Sequence, residues 1–248
     1  MIEFFVAIIG MVLGSFLNVC VFRIPRGESI SYPPSHCMKC GTRIKAYDLF
    51  PVISYLILRG KCRKCGDKIS IRYPLVELFT GAMFLLIYIN FGLNIDFVKY
   101  CILSCFIIVV GLIDFDTTDV YLKTTLPAIM IGVIFIVINI LSGSSFMDFI
   151  LGGILSGGVI ALIIFFTGGM GWGDFEICAF CGLFLGLKPS IIMLFFSFVL
   201  GGIVGILLMV TKKKSRKDYI PFGPYIAIAA FIALFFGNQI VSWYLNFL

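Results

Sequence analysis

Eight windows of mostly apolar residues divide this chain, at roughly 2–22, 74–93, 97–113, 124–142, 146–167, 174–187, 190–210 and 222–246. Most approach the 20 or so residues that an α-helix needs to cross a bilayer. Inside hydrocarbon each backbone polar group must find its partner within the protein, which restricts spanning segments of this length to helices. The sequence therefore predicts an all-α polytopic membrane protein of about eight transmembrane helices. Its composition agrees: 60% hydrophobic residues and 13% charged residues lie far from the soluble balance of about half apolar and a quarter charged. The window 174–187 is short and is separated from the next by Lys188-Pro189, so six or seven crossings plus a re-entrant piece stay open. The first window lacks the basic leader and small-residue cleavage site of a signal peptide and is read as a span.

Lysines and arginines near span ends favour the cytoplasm. Eleven of the 19 lie between Arg23 and Arg72, Lys123 follows the third window, and Lys212, Lys213, Lys214, Arg216 and Lys217 form one run. If all eight windows cross, these 17 share one face, with Lys99 and Lys188 on the other. The net charge of +6 thus follows membrane topology, and no nucleic-acid partner is expected. The terminal run fixes topology or meets anionic head groups.

The same parity brings two acidic points to that face. One is Asp174, at the end of Gly168-Gly169-Met170-Gly171-Trp172-Gly173-Asp174, and the other is Asp114-Phe115-Asp116-Thr117-Thr118-Asp119. An ionised Asp in hydrocarbon must pair, neutralise or reach water, which makes it a candidate for function. Asp114 follows Gly111-Leu112-Ile113 directly and is the deepest of its group, whereas Asp116 and Asp119 read as solvated. Two carboxyl groups brought together, one charged and one protonated, can activate a water. Asp114 and Asp174 are accordingly the candidate catalytic pair of an intramembrane aspartyl protease, with Glu176 setting local charge. The glycines either admit a substrate strand or form a plain loop. A transporter would use the aspartates as a proton relay, and a membrane assembly scaffold would have no use for them.

Residues 23–73 form the one long polar loop, between a first span at 1–22 and a transmembrane region at 74–248. It carries Cys37-Met38-Lys39-Cys40 and Cys62-Arg63-Lys64-Cys65, each followed by a glycine. Two such knuckles suit a four-thiolate zinc site, with Cys37, Cys40, Cys62 and Cys65 as ligands. About 50 residues bury too little apolar surface to fold unaided, so a metal staple has a physical reason to be present. Two disulfides are the alternative, disfavoured in a reducing cytoplasm. His36, the only histidine, reads as a solvated loop residue, and its solitude leaves a Ser-His-Asp mechanism without support.

Gly10, Gly14 and Ser15 give a small-residue spacing for close helix contact. Asn18 and Arg23 either cap, snorkel or line a site. Glu77 either pairs with Arg72 or lines the aspartate cavity. Cys101, Cys105, Cys178 and Cys181 read as small packing residues, and Asp96 and Asp148 as ordinary interfacial charges.

Nearly the whole chain resembles the type IV prepilin peptidase family, the bifunctional leader peptidases and N-methyltransferases of type IV pilus, type II secretion and competence systems. The resemblance is carried by Gly14-Ser15-Phe16-Leu17-Asn18-Val19 with Arg23-Ile24-Pro25, the two cysteine knuckles, Pro51-Val52-Ile53-Ser54-Tyr55-Leu56, Arg59-Gly60-Lys61-Cys62, Arg72-Tyr73-Pro74-Leu75-Val76-Glu77, Leu112-Ile113-Asp114, Gly171-Trp172-Gly173-Asp174 and Pro221-Phe222-Gly223-Pro224-Tyr225. Gly-x-Gly-Asp alone also resembles presenilin-type and preflagellin peptidases. The family implies cleavage of type IV prepilin or pseudopilin precursors after a glycine, by the two aspartates at the cytoplasmic face of a bacterial plasma membrane. It also implies methylation of the new N-terminus with S-adenosylmethionine as donor, and the cysteine loop 23–73 is the region we expect to serve that second activity. Two places depart from its pattern. Val120-Tyr121-Leu122 stands where the family usually has Ile-Pro-Asp, and Leu49-Phe50-Pro51 where it has Asn-x-Pro.

Overall fold

The computed structural model describes residues 1–143, 145–211 and 220–247, with the side chain of residue 247 left aside. The basic run Lys212 to Lys217 falls outside the described residues. The described residues form nine α-helices and no strand: α1 (Ile2–Arg23), α2 (Ile53–Ile57), α3 (Arg72–Phe91), α4 (Ile95–Thr117), α5 (Leu122–Leu141), α6 (Met147–Thr167), α7 (Trp172–Leu185), α8 (Leu187–Val210) and α9 (Gly223–Phe247). Seven of them, all except α2 and α7, are long and apolar enough to cross a membrane. The chain is an all-α, multi-pass membrane protein. It divides into two compact units, Met1–Cys105 and Phe106–Leu248, with the boundary inside α4.

In the first unit α1 packs on α3 through the small residues. A Cβ at Gly10 would lie 2.8 Å from the Cα of Gly81, and one at Gly14 would lie 2.9 Å from the Cα of Glu77. Helix association in lipid relies on such close backbone approach, because lipid tails offer no hydrophobic gain. Asn18, one turn further along, donates from its amide to the carbonyl of Tyr73 at 3.2 Å and so ties α1 to the start of α3. Arg23 is buried and donates to the carbonyls of Ser29 at 2.9 Å and Pro33 at 2.7 Å. Of the roles open to these two residues, the geometry selects a structural one: Asn18 joins helices and Arg23 folds the loop back beneath α1.

In the second unit α6 and α7 run antiparallel at very short range. Ser156 donates to the carbonyl of Cys178 at 2.7 Å, and a Cβ on Gly152 would lie 2.6 Å from the carbonyl oxygen of Gly182. The fourteen residues of α7 rise only about 21 Å, short of the roughly 30 Å of hydrocarbon. Its far end still reaches the start of α6, where Gly186 abuts the carboxylate of Asp148. The eight windows thus resolve into seven long helices and one short one that is sheathed by its neighbours: Ile177, Cys178, Phe180, Cys181 and Phe184 are all buried. Phe184 packs its ring 5.9 Å from that of Phe135 on α5. Cys178 and Cys181 are the small packing residues the sequence suggested.

Since any side chain at Gly182 would meet backbone of Gly152 and the Ser156 hydroxyl, overpacking here cannot be relieved by a rotamer change. Gly182→Val is expected to destabilise the second unit by about 3 kcal/mol or more. A thermal scan in detergent should show a lowered midpoint, whereas Gly202→Val, where nothing lies within 4 Å, should leave it unchanged.

Candidate active site

Helix α6 ends because Gly168 adopts a left-handed conformation (φ 60°), a backbone state that glycine enters freely. Three residues later Gly171 caps α7, which places Asp174 in the first turn. The carboxylate of Asp174 turns back and accepts the Gly171 N–H at 3.1 Å. An acidic group at this position complements the positive end of the helix dipole. Gly173 has no room for a side chain, because Val120 fills the place where its Cβ would be. One of the residues that departs from the family pattern is therefore the one against which the glycine motif packs.

Asp114 is positioned by α4 and held by the start of α9. Its Oδ2 accepts the N–H of Gly223 at 2.7 Å, a buried bond across 109 positions of sequence. A Cβ on Gly223 would lie 2.7 Å from that same oxygen, so the contact requires glycine for the space as well as for the donor. One turn earlier on α4, a Cβ on Gly111 would lie 3.0 Å from the Cβ of Ala227, which brings α4 and α9 close enough for the bond to form. Pro221-Phe222-Gly223-Pro224-Tyr225 thus opens a helix whose start is aimed at a carboxylate.

Asp114 is 2% exposed and Asp174 3% exposed, and the two are near enough to interact electrostatically. Asp174 borders two open clefts, one lined by Met170, Phe198 and Phe222 and the other by Thr118, Val120 and Trp172. Asp116 and Asp119 are exposed, as the sequence suggested. The geometry is that of two buried carboxyl groups, each anchored by one backbone N–H at a helix start, with an open approach to one of them. Carboxyl groups placed so can carry one proton between them as a set and exchange it with a bound water.

Glu176 makes a more specific contact than local charge alone. It accepts a 2.5 Å hydrogen bond from the fully buried Thr125 hydroxyl, tying α7 to α5 half a turn from Asp174. Thr125 carried no signal in the sequence beyond being a polar residue inside an apolar window.

The cysteine knuckles, in the first unit, are near copies of one another. In each the first cysteine N–H bonds a carbonyl five residues on, Thr42 at 2.9 Å and Asp67 at 2.8 Å. Gly41 and Gly66 both take positive φ, 66° and 71°. Lys39 pairs with Asp67 at 3.0 Å across the two knuckles, and Arg63 pairs with Asp48 at 2.6 Å. The guanidinium of Arg63 holds the Asp48 carboxyl below its usual range. The four sulfur atoms of Cys37, Cys40, Cys62 and Cys65 lie within 4.8 Å of one another, and Cys37 Sγ is 3.8 Å from Cys65 Sγ. A tetrahedral ion with bonds of about 2.3 Å to sulfur separates its ligands by about 3.8 Å, so the cluster fits a metal of that kind. Thr42, through its hydroxyl and then its backbone, favours the thiolate of Cys40 and pulls its pKa down to about 6. All nine cysteines are free of disulfides. His36 stands outside the cluster, its Nδ1 3.0 Å from the Pro34 carbonyl oxygen.

Glu77 does not wait for a ligand. It is buried beside Ser15 and accepts the Val52 N–H at 2.8 Å. Val52 itself has φ 60° and ψ −50°, and the Ile53 N–H bonds the Pro51 carbonyl at 2.5 Å. That is a γ-turn of the strained kind, costly for a β-branched residue.

Residues 8–91 match the model of the bacterial peptidase A24 N-terminal domain, and residues 101–206 match that of the type IV leader peptidase family. Across almost the full chain, the prepilin leader peptidase/N-methyltransferase of Neisseria gonorrhoeae is 32% identical, covering 97% of this chain and 93% of its own. This chain belongs to the type IV leader peptidase family. Other family members bearing the same name are those of Aeromonas hydrophila, 32% identical over 98% of this chain and 94% of its own, and Pseudomonas putida, 31% identical over 95% and 91%. No solved structure matches the chain. Membership in this family makes the protein a leader peptidase of the membrane. The thiolate cluster falls in the stretch matched by the N-terminal domain model, and Asp114 and Asp174 fall in the stretch matched by the leader peptidase model.

Proposed function

We propose that this family member cleaves the leader of type IV prepilin or pseudopilin precursors after a glycine, using Asp114 and Asp174, and then methylates the new N-terminal amine. The observation that carries the first half is the pair of buried carboxyl groups, anchored by Gly223 and Gly171. In our reading one of the two, ionised, removes a proton from a water held between them, and the oxygen of that water attacks the scissile carbonyl. The other, protonated, donates to the carbonyl oxygen as charge develops there. The tetrahedral species collapses when the amide nitrogen takes a proton from the pair, and the leader departs with a new carboxylate. The proton belongs to the pair and not to either residue.

The cytoplasmic face is proposed for the site because the basic residues concentrate in the loops that share its parity. For the second half we assign the loop 23–73 to methyl transfer and the region 74–248 to cleavage. S-adenosylmethionine enters as a substrate whose sulfonium methyl passes to the neutral amine. Zinc is the metal proposed for Cys37, Cys40, Cys62 and Cys65, which would fill all four positions and leave none open for catalysis.

The test uses protein in bilayers and a synthetic peptide with a short basic leader, a Gly-Phe junction and an apolar helix. Mass spectrometry should find two fragments divided after the glycine, with one water added between them. With S-adenosylmethionine present, the Phe-bearing fragment should gain one methyl group. Cleavage elsewhere, or an intact peptide, would refute the proposal.

A further inference from the structure

Among the described residues outside the long helices, the segment 49–57 presents a run of exposed apolar side chains. Leu49, Phe50, Ile53, Leu56 and Ile57 are between 42% and 69% exposed. Only one side of α2 is turned inward, where Ser54 is buried and donates to the carbonyl of Tyr47 at 3.0 Å. A polar loop gains nothing by presenting five such side chains to water. What fixes their surroundings is the bond from Val52 to Glu77. Glu77 stands five residues into α3 from Arg72, about 7.5 Å along the helix axis, and side chains on a helix lean back toward its start. The turn at Val52 is therefore pinned beside a membrane-spanning helix, a short way inside its end.

That depth corresponds to the boundary between head groups and acyl chains, where amphipathic elements lie with their apolar face sunk by about 5–10 Å. The charge of the surrounding loop fits the same place. Residues 24–71 hold nine lysines and arginines against three acidic residues, and Arg59 and Lys61 follow α2 directly. Tyr47 is half-exposed, with the Lys45 ammonium 5.5 Å from its ring centroid, the kind of pairing found at membrane interfaces. Val52 stands at the start of α2, where N–H groups have no partner in the helical ladder, and the Glu77 carboxylate supplies one.

We propose that residues 49–57 form an interfacial wedge: α2 lies in the leaflet beside α3, its apolar side among acyl chains and its flanking cations among anionic phospholipid head groups. The wedge anchors the thiolate loop to the bilayer independently of what the loop catalyses.

Photo-cross-linking in the full chain tests it. Benzoylphenylalanine replaces Leu56 in one protein, Ile57 in a second, and Met38 in a third; Met38 is equally exposed but sits in the first cysteine knuckle. Each is reconstituted in vesicles of phosphatidylcholine with phosphatidylglycerol, illuminated, and digested for mass spectrometry. Lipid adducts should be roughly fivefold more abundant at 56 and 57 than at 38, because the apolar face is sunk at those positions alone. Omitting phosphatidylglycerol should lower them by about fivefold, the loss of about one basic contact. Equal labelling at all three positions would overturn the wedge, as would adducts at 56 and 57 that join an added prepilin peptide or a second copy of the chain. Labelling unaffected by phosphatidylglycerol would overturn the role of the cations.

Discussion

Leader cleavage by Asp114→Asn or by Asp174→Asn is expected to fall by about a thousandfold or more, into the background of the assay. The asparagine side chain has the shape of the aspartate and keeps a carbonyl oxygen, so it can still accept the N–H of Gly223 in one case and of Gly171 in the other. What it cannot do is exchange a proton. Both variants should therefore insert, fold and keep the metal proposed for the thiolate loop, which separates a chemical loss from a structural one. A double variant should be no slower than either single one, because residues that act as one unit lose their effect together. Asp116→Asn and Asp119→Asn alter exposed carboxylates and should keep most of the activity. An active Asp114→Asn beside a dead Asp116→Asn would move the first catalytic position by half a helical turn and refute the reading of the Gly223 contact. The expected measurement is an initial rate on a labelled prepilin peptide, with metal content determined on the same preparations.

What the sequence discloses of this candidate site is which carboxyl groups to consider, and what it withholds is their geometry. Asp174 announces itself as an ionisable group that follows four glycines between apolar windows. Asp114 is marked by its depth relative to Asp116 and Asp119. The oxygen of Asp114, however, depends on a glycine 109 positions away, and no local pattern encodes a bond of that span. Gly223 is conspicuous only as part of a proline-glycine cluster. Glu176 illustrates the same limit, since its partner Thr125 lies on another helix.

For the fold, periodicity is silent because the spans are apolar on every side, and length has to serve instead. Length succeeds for seven helices and is ambiguous for α7, where fourteen residues suffice because neighbouring helices, and not lipid, surround them. Small-residue spacing is more informative: Gly10 and Gly14 meet α3 where that spacing requires. Polar residues inside spans are legible as important but not as to purpose. Asn18, Arg23 and Glu77 are all spoken for by backbone groups of their own unit.

Replacing Cys62 by serine should remove methyl transfer while leaving much of the leader cleavage, and the reason lies in how the two halves are held. Cys62 opens the second knuckle, and its sulfur is one of the four drawn within 4.8 Å. A serine there leaves three ligands and an open position, and structural zinc sites of this size contribute about 10–16 kcal/mol to the folding of their domains. Besides the proposed metal the loop's side-chain ties include the ion pairs Lys39–Asp67 and Arg63–Asp48, each with an exposed partner and so worth about 1 kcal/mol or less, the bonds from Arg23 to the Ser29 and Pro33 carbonyls, the bond from Ser54 to the Tyr47 carbonyl and the bond from Val52 to Glu77. Without the metal these cannot offset the ordering of some 50 residues, and the loop should unfold first. The carboxyl pair lies in the other compact unit, where its anchors are backbone groups of α7 and α9 and its packing is that of buried helices. Cys62→Ser should then abolish zinc binding, raise proteolysis between residues 23 and 73, and lower the rate of methyl transfer from S-adenosylmethionine at least tenfold more than the rate of cleavage. Both rates are to be measured on one substrate in the same membranes, with Asp174→Asn as the variant that blocks cleavage and, when given a precleaved peptide, leaves methylation intact. Equal loss of the two activities would mean that the loop also shapes the protease site, and full methylation without metal would refute its assignment to methyl transfer.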